Sequence, residues 1–214
     1  MGRVDWFRRT TWTSRDRAEF YARLDRSRSV FHKAQYLRIQ AAHLQETREP
    51  ELVTAAIALL DDLVARFPYP GELASAQLQR AECLDLLDRP AEAIVSFRAA
   101  VVAQRASPGL VTRVALAFGM FCIRRDLGGL LAEAAGYVDE LAPDSPFPRD
   151  VFEANSIMAF AAAHRGDATA ARAFARGALD AAQATASGFW RYPTLGLVDA
   201  VEPTLRARLE DLAR

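Results

Sequence analysis

The side chains that could carry out chemistry are few in this chain, and their spacing does not suit a metal site. The only histidines are His32, His43 and His164. A helix places two ligands on one face when they are three or four residues apart, and no histidine pair has that spacing. The chain also contains no His-Glu-x-x-His motif, no Cys-x-x-Cys pair and no acidic calcium-binding loop. The sequence therefore predicts neither a metal nor a cofactor.

Motifs for enzymatic catalysis are missing from the sequence as well. Asp61 and Asp62 form the acidic doublet nearest an apolar stripe. Neighbouring residues of a helix point about 100° apart, so these two carboxylates cannot act as a pair. No glycine-rich phosphate loop and no Gly-x-Ser-x-Gly nucleophile motif occurs. We expect a protein that is not an enzyme, and a helical enzyme built from scattered residues is the third alternative.

The charge balance gives the whole chain no electrostatic preference for nucleic acid or anionic membranes. Its 214 residues include 27 basic and 27 acidic side chains, so the formal net charge is zero. The N-terminal region is nevertheless rich in cations: Arg8, Arg9, Arg15, Arg17, Arg23, Arg26, Arg28 and Lys33. They form either a salt-bridged exposed face or a basic edge that docks an acidic protein and, less readily, nucleic-acid phosphates.

Cysteine placement and hydropathy indicate where the protein resides. Cys83 and Cys122 lie in predicted helices with apolar neighbours, which is typical of reduced core residues. The N-terminus has no apolar segment of a signal peptide, and no apolar stretch approaches the ~20 residues that span a bilayer. We therefore expect a cytoplasmic protein that does not bind membranes.

The elements that must position these residues are helices. Segments between proline- and glycine-rich breaks have the hydrophobic period of helices, and no segment alternates as strands do. The prediction is an all-α antiparallel helix-hairpin solenoid of about four hairpins with N- and C-terminal capping helices. An aromatic and basic N-terminal segment with a capping helix spans residues 1–29. The helical repeats span 30–186, and an aromatic loop with a C-terminal capping helix spans 187–214.

Small residues recur with a fixed period in the predicted second helices. Ala93, Ala132 and Ala171 follow one another at intervals of 39 residues, and a looser copy lies at Ala56. A period of ~20 to 50 residues is typical of stacked-repeat proteins. Alanine lets two helices approach closely where they cross, so we expect all of these alanines at buried crossings.

The hairpins resemble tetratricopeptide repeats, which have small and aromatic residues at fixed places and a closing proline. The matching residues, hairpin by hairpin, are Ala56, Leu60, Leu63 and Pro68; Ala81, Ala93, Phe97 and Ala100; and Ala159, Gly166, Ala171 and Ala178. In the third hairpin Met120 replaces a small residue, and Gly119 would supply one after a one-residue shift. The interval of 39 residues also exceeds the family's ~34.

The resemblance implies that chosen positions of each first helix line the inner, partner-binding face. In this sequence those positions carry polar, charged and aromatic side chains: Arg38, Gln45, Arg48, Glu82, Asp85, Phe121, Arg124, Arg125, Glu153, Phe160 and His164. Phe121 and Phe160 form either an aromatic floor of this face or part of the core. Leu78 and Glu82 stand where the carboxylate-gripping members of the family have Lys and Asn, so we do not expect that activity.

Aromatic residues also mark both ends of the chain. Trp6, Phe7 and Trp12 are expected to fold back over the first repeat, because exposed indole rings forgo a large burial gain. The segment 187–193 is aromatic too, and it either caps the repeats or binds a partner.

Together these features favour a role in protein binding. The leading hypothesis is a bacterial-type adaptor that holds another protein or peptide on the inner face, with an immunity- or chaperone-type protein as its specific version. The alternative is a sensor or regulator whose groove takes a peptide or small ligand. The sequence does not indicate an oligomeric state.

Overall fold

The computed structural model describes residues 6–142 and 145–214. Within those ranges the chain is 71% helical with no strand, which confirms the all-α prediction. Its elements there are ten α-helices and one 3₁₀ turn: α1 (Ser14–Arg26), α2 (Val30–Gln45), α3 (Pro50–Arg66), α4 (Pro70–Leu86), α5 (Pro90–Ala106), α6 (Val114–Arg124), the 3₁₀ turn (Gly128–Leu130), α7 (Leu131–Leu141), α8 (Pro148–His164), α9 (Ala168–Ala182) and α10 (Pro203–Leu212).

Prolines and polar caps determine where the helices begin. Proline is the first residue of α3, α4, α5, α8 and α10, a position where its missing N–H removes no helical hydrogen bond. Helix α1 begins with a capping box, in which Thr13 and Asp16 satisfy each other's backbone amides. Asp167 caps α9 and Glu202 caps α10 in the same way, through side-chain oxygens.

The four hairpins share a left-handed turn, of which the family resemblance had marked only the one at Gly166. Each turn contains one residue with a left-handed backbone: Arg48 (φ 58°), Asp88 (φ 56°), Asp126 (φ 52°) and Gly166 (φ 81°). In the last three turns the next amide donates to a carbonyl five residues earlier: Arg89 to Leu84, Leu127 to Cys122 and Asp167 to Ala162, each at 2.9 Å. This is the hydrogen bond that closes a helix with a left-handed cap.

Counting from these turns places the small residues in register. A small buried residue lies seven positions before each turn: Ala41, Ala81, Gly119 and Ala159. Five positions after the last three turns lie buried residues of the second helices: Ala93, Leu131 and Ala171. The third hairpin is therefore shifted by one residue relative to the interval of 39. Gly119, and not Met120, is its small residue at the helix crossing.

The expectation of a buried Ala132 is wrong. Ala132 is exposed, and its neighbour Leu131, with only 7% of its surface exposed, faces the core instead. The reason is that Asp126 follows Asp88 by 38 residues and precedes Gly166 by 40, so the equal spacing of the alanines does not follow the backbone repeat. Ala93 and Ala171 are buried as expected.

Contacts divide the chain into two compact units, residues 1–114 and 115–214. In the first unit α2 packs on α3, α3 on α4, and α4 on α5, while α2 also contacts α4. In the second unit α7 packs on α8, α8 on α9, and α10 on both α9 and α8. Within each unit, consecutive helices thus pack against their neighbours.

The N-terminal aromatic segment packs on the first unit, as expected. The Trp6 ring lies 5.3 Å from that of Phe20 and 4.9 Å from that of Tyr36, between centroids. The Arg9 amide donates to Gln40 Oε1 at 3.1 Å, and Gln40 Nε2 donates back to the Arg9 carbonyl at 2.7 Å. These paired bonds hold the segment against α2.

Candidate functional site

Three of the five predicted residues of the first unit lie where α2 and α4 pack side by side. Arg38 Nε lies 2.5 Å from Glu72 Oε2, and Gln45 Nε2 donates to Glu82 Oε2 at 3.2 Å. The structure thus brings Arg38, Gln45 and Glu82 onto one shared surface. Sequence reasoning missed Glu72. A carboxylate is common in the first turn of a helix because the helix dipole stabilises it there, so its position gave no reason to expect a contact with another helix.

Arg48 and Asp85 lie beside this surface in different settings. Helix α2 ends at Gln45, so Arg48 is not on its face. It is the exposed left-handed residue of the turn, which corrects its expected place on a first helix. Asp85 is half-buried in the last turn of α4.

In the second unit Phe121 belongs to the core. Its side chain is fully buried, and its ring centroid lies 6.4 Å from that of Phe118. The one-residue shift of the third hairpin places Met120, rather than Phe121, at the position equivalent to Phe160. Phe121 and Phe160 therefore do not form the aromatic floor that the sequence left open.

A cleft of about 680 Å³ opens between α6, α8 and the C-terminal segment. Met120, Ile123 and Phe152 line it with apolar surface, and the chain from Val198 to Arg208 forms the opposite wall. The predicted residues Arg124 and Glu153 both line this cleft, and Arg149 Nε pairs with Glu153 Oε1 at 3.1 Å. Mixed charges over an apolar floor are typical of a binding cleft.

Helix α10 covers the predicted residue Phe160. The Arg208 guanidinium lies 4.4 Å above the centroid of the Phe160 ring, and only 8% of Phe160 is exposed. Arg208 Nη1 also donates to the Ile123 carbonyl at 3.4 Å, and its Nη2 lies 3.5 Å from Asp126 Oδ1. Sequence reasoning missed Arg208. The nearest signal in the sequence is the stripe of Leu205, Leu209 and Leu212 along α10.

Two further predicted residues lie at the ends of these helices. His164 is exposed at the end of α8, and its ring packs over Gly128, where a side-chain carbon would approach within 3.1 Å of His164 Cε1. Arg125 is half-buried after the end of α6, whereas Arg124 is exposed. Of the two arginines, Arg124 is the one that lines the cleft.

An aromatic loop, residues 187–196, stands beside the cleft. The hydrogen bonds that hold its backbone include Ser187 N to Pro193 O at 2.6 Å, Gly188 N to Pro146 O at 3.2 Å, and Arg149 N to Gly196 O at 2.8 Å. The loop nevertheless leaves Trp190 89% exposed and Tyr192 56% exposed. The aromatic residues at the two ends of the chain therefore differ in exposure. Those of the N-terminal segment are packed, whereas Trp190 and Tyr192 face solvent.

Gly196 is needed for the end of this loop. Its φ of 73° lies in the left-handed region, and a Cβ there would come within 2.6 Å of Phe147 Cβ. The Phe147 ring also stacks on Phe189, with 5.9 Å between centroids. Phe147 thus anchors both ends of the loop.

The N-terminal cations are partly engaged with carboxylates. Arg9 is buried and donates to Asp16 and Glu19, and Arg15 also pairs with Glu19 at 2.9 Å. Burial by itself would raise the pKa of Asp16. Hydrogen bonds from the Thr13 amide, from the Thr13 and Thr11 hydroxyls and from Arg9 outweigh burial and lower that pKa to about 2.

Cys83 and Cys122 are both buried, and both are thiols rather than halves of a disulfide. Burial raises the pKa of the Cys83 thiol to about 12, which disfavours the reactive thiolate. The expectation of core cysteines is therefore confirmed.

Within residues 6–142 and 145–214, no cluster of three or more His, Cys, Asp or Glu side chains could hold a metal ion. The helices of the same two ranges are all too short or too polar to cross a membrane. No protein-family profile matches the chain, and neither a curated protein nor a solved structure is significantly similar to it. The described fold and surfaces define an all-helical protein of adjacent helix pairs with a cleft and an exposed aromatic loop.

Proposed function

We propose that this protein is a tetratricopeptide-like scaffold that binds another protein and does not itself catalyse a reaction. The recurring left-handed turns and the small buried residue seven positions before each of them support the repeat assignment. Repeats of this kind present a series of side chains to partners. An immunity- or chaperone-type role, in which the protein masks a client in the cytoplasm, is the specific version that we favour.

The aromatic loop is the observation that carries this proposal. Tryptophan, tyrosine and arginine are the residue types most enriched in binding hot spots, and Trp190, Arg191 and Tyr192 are consecutive and exposed. Because hydrogen bonds already hold the loop backbone, a partner would lose little affinity to ordering it. Burial of a large apolar side chain such as the indole in a partner's pocket contributes roughly 1.5 to 3 kcal/mol to the free energy of binding.

Local charge indicates the chemistry of the partner. Arg191 is the only charged residue between Asp180 and Asp199, so the loop fits an apolar pocket with a carboxylate at its rim. Residues 115–214 contain ten arginines, no lysine and thirteen acidic residues, which favours a protein pocket over an anionic membrane. The cleft extends this surface, because Arg149 bonds to the loop through its amide and lines the cleft with its side chain.

Affinity capture from a native lysate tests the proposal. We expect the tagged wild-type chain to retain one protein in stoichiometric amount, and Trp190→Ser to lose at least nine-tenths of it, roughly the effect of one hot spot. Val111→Ser removes another exposed apolar side chain from a loop and is the matched control. Equal retention by Trp190→Ser and Val111→Ser would contradict the proposal.

The cleft itself can be tested separately. We expect Arg124→Glu to weaken binding of the captured protein, because Arg124 is exposed at the cleft. Arg113→Glu changes the same charge at an exposed loop position of the first unit and serves as the control. Binding by Arg124→Glu at wild-type strength would remove the cleft from the partner surface.

The alternative, a sensor or regulator for a peptide or small ligand, is favoured by one observation. The cleft volume of about 680 Å³ falls within the range of ligand pockets. Native mass spectrometry of the freshly purified protein tests this alternative. A retained small molecule that is lost from a Phe152→Ala variant would support it.

A further inference from the structure

The cations near the start of α2 differ from those near the start of α1, because they have no carboxylate partner. Within the described residues, none of Arg26, Arg28 and Lys33 pairs with an acidic side chain. The sequence also contains no acidic residue between Asp25 and Glu46. The first turn of α2 therefore lacks a carboxylate that would offset the positive end of the helix dipole. This edge of the first unit has a local excess of positive charge.

Exposed apolar side chains lie at the same edge. Val30 is 49% exposed, Phe31 36% and Tyr69 38%. The rings of Phe31 and Tyr69 lie 5.1 Å apart between centroids, so the start of α2 and the residue that precedes α4 share one apolar surface. Lys33 Nζ lies 5.1 Å from the centroid of the Phe67 ring, directly after α3. We call these residues the aromatic–basic patch: Arg28, Val30, Phe31, Lys33, Phe67 and Tyr69.

Local hydrogen bonds hold the backbone of this patch. Ser29 caps α2, since its hydroxyl oxygen accepts a hydrogen bond from the His32 amide at 3.3 Å. The Tyr69 amide donates to the Phe67 carbonyl at 2.7 Å, and the Glu72 amide donates to the Tyr69 carbonyl at 2.9 Å. A partner would therefore lose little affinity to ordering these segments.

We infer that the aromatic–basic patch docks an acidic segment of a partner protein, in which a large apolar side chain stands among carboxylates. Charge complementarity favours this occupant, because Arg28 and Lys33 stand on either side of Phe31 in the sequence. The apolar side chain of the segment would cover Phe31 and Tyr69, while its carboxylates pair with the two cations. The patch belongs to the first unit and does not involve the aromatic loop, so the inference goes beyond the proposed function.

The geometry of the rings favours a protein segment over nucleic acid or a membrane. Phe31 and Tyr69 meet edge to face, with 61° between their planes, so part of this ring surface is already covered and closed to stacked bases. More than half of each of these residues is buried, which leaves little surface for insertion into a bilayer. The zero net charge of the chain also provides no long-range attraction to an extended polyanion.

Selection from a library of random peptides displayed on phage tests this inference without knowledge of the natural partner. The bait is the wild-type full-length chain, and peptides that also bind Phe31→Ser are removed. Phe31→Ser changes no charge, so this step does not itself select for acidic peptides. We expect the remaining peptides to combine several Asp or Glu residues with a large apolar residue. If no peptide remains, or if the peptides have no acidic excess, the inference is wrong.

A labelled peptide from this selection, followed by anisotropy, provides the second measurement. Arg28→Glu reverses a charge of the patch and should raise the dissociation constant roughly fivefold or more. Arg172→Glu makes the same change at an exposed position of α9 and should bind within about twofold of wild type. Equal affinity of wild type and Arg28→Glu would overturn the inference.

Circular dichroism first establishes that the variants have the helical content of wild type. If Phe31→Ser does not, Val30→Ser takes its place in the selection, because Val30 is about half exposed and its replacement changes no charge. The same expectations and the same contradicting results then apply.

Nucleic acid and membranes are tested with the same variants. The probes are an oligo(dT) strand and vesicles of phosphatidylserine and phosphatidylcholine. If either binds wild type more tightly than the selected peptide does, and Phe31→Ser and Arg28→Glu both lose that binding, the inference is wrong. Trp190→Ser should bind the peptide as wild type does. The peptide assay needs no lysate partner, so it can fail while capture through Trp190 succeeds.

Discussion

Gly119 has no room for a side chain because α6 and α8 cross at this residue. A Cβ built there would lie 2.4 Å from Cδ1 and 2.5 Å from Cγ1 of Ile157, whose side chain is fully buried. Sequence reasoning identified Gly119 as the residue that could replace Met120 after a shift, and the structure confirms the shift.

We predict that Gly119→Ala lowers the free energy of unfolding by about 1 to 3 kcal/mol through overpacking. The measurement is urea unfolding followed by circular dichroism. Gly136→Ala is the matched control, since a Cβ at Gly136 in α7 meets nothing within 4 Å. That control should stabilise the protein by about 0.5 to 1 kcal/mol, as alanine does in a helix. A neutral Gly119→Ala would contradict the close crossing.

Asp16 links stability to pH at the start of α1. Its pKa is lowered to about 2 in the folded chain, so the carboxylate stabilises the fold above the ordinary aspartate pKa. This contribution disappears as the pH falls from about 4 to about 2.

Unfolding of Asp16→Asn across this pH range tests the linkage. At pH 7 we expect Asp16→Asn to be about 1 kcal/mol less stable than wild type, through loss of the capping box and of the contact with Arg9. The difference should vanish near pH 2. Asp25→Asn makes the same substitution at an exposed position of the same helix and is the matched control for it. A constant difference between pH 7 and pH 2 would contradict the lowered pKa.

At the scale of elements, the helix register can be tested directly. Ala171 is buried in α9, whereas Ala132 is exposed in α7, although the alanine pattern treated them as equivalent. We predict that Ala171→Trp destabilises the protein by about 3 kcal/mol or more, because the indole has no space between the packed helices. Ala132→Trp should change stability by less than about 0.5 kcal/mol. Thermal and urea unfolding of both variants provide the measurement, and equal effects would contradict the shifted register.

The helices themselves could be predicted because their limits have local causes. Pro50, Pro70 and Pro90 begin helices and break the preceding ones, and a proline does this whatever it packs against. The register of α7 could not be predicted in the same way. Alanine fits both buried and exposed helical positions, so neither the spacing nor the residue type of Ala132 could show which way it faced.

The candidate surfaces were predicted in part, for a related reason. The sequence predicted one shared surface from positions on the first helices of the hairpins. The structure places three of these residues together there: Arg38, Gln45 and Glu82. The position of Arg208 over Phe160 depends on how α10 folds back on α8 and α9, for which the sequence carries no local signal. The exposure of Trp190 likewise depends on backbone bonds to residues far along the chain.

At the scale of the whole molecule, we propose that recognition depends on short-range contacts. The net charge of zero provides no long-range attraction to a charged partner. Arg9 and Arg15 pair with carboxylates of the same segment, which reduces the positive charge that the N-terminal region could offer to an acidic partner. The N-terminal aromatic residues are packed on the first unit. The aromatic loop and the cleft of the second unit are therefore the surfaces on which we base binding.

Isothermal titration of the captured protein against purified full-length chains tests the central claim most directly. If the aromatic loop binds the partner, Trp190→Ser should raise the dissociation constant at least 30-fold, which corresponds to about 2 kcal/mol for a hot-spot residue. Val111→Ser should bind as wild type does. A dissociation constant for Trp190→Ser within twofold of the wild-type value would contradict the claim that this loop is the protein's binding surface.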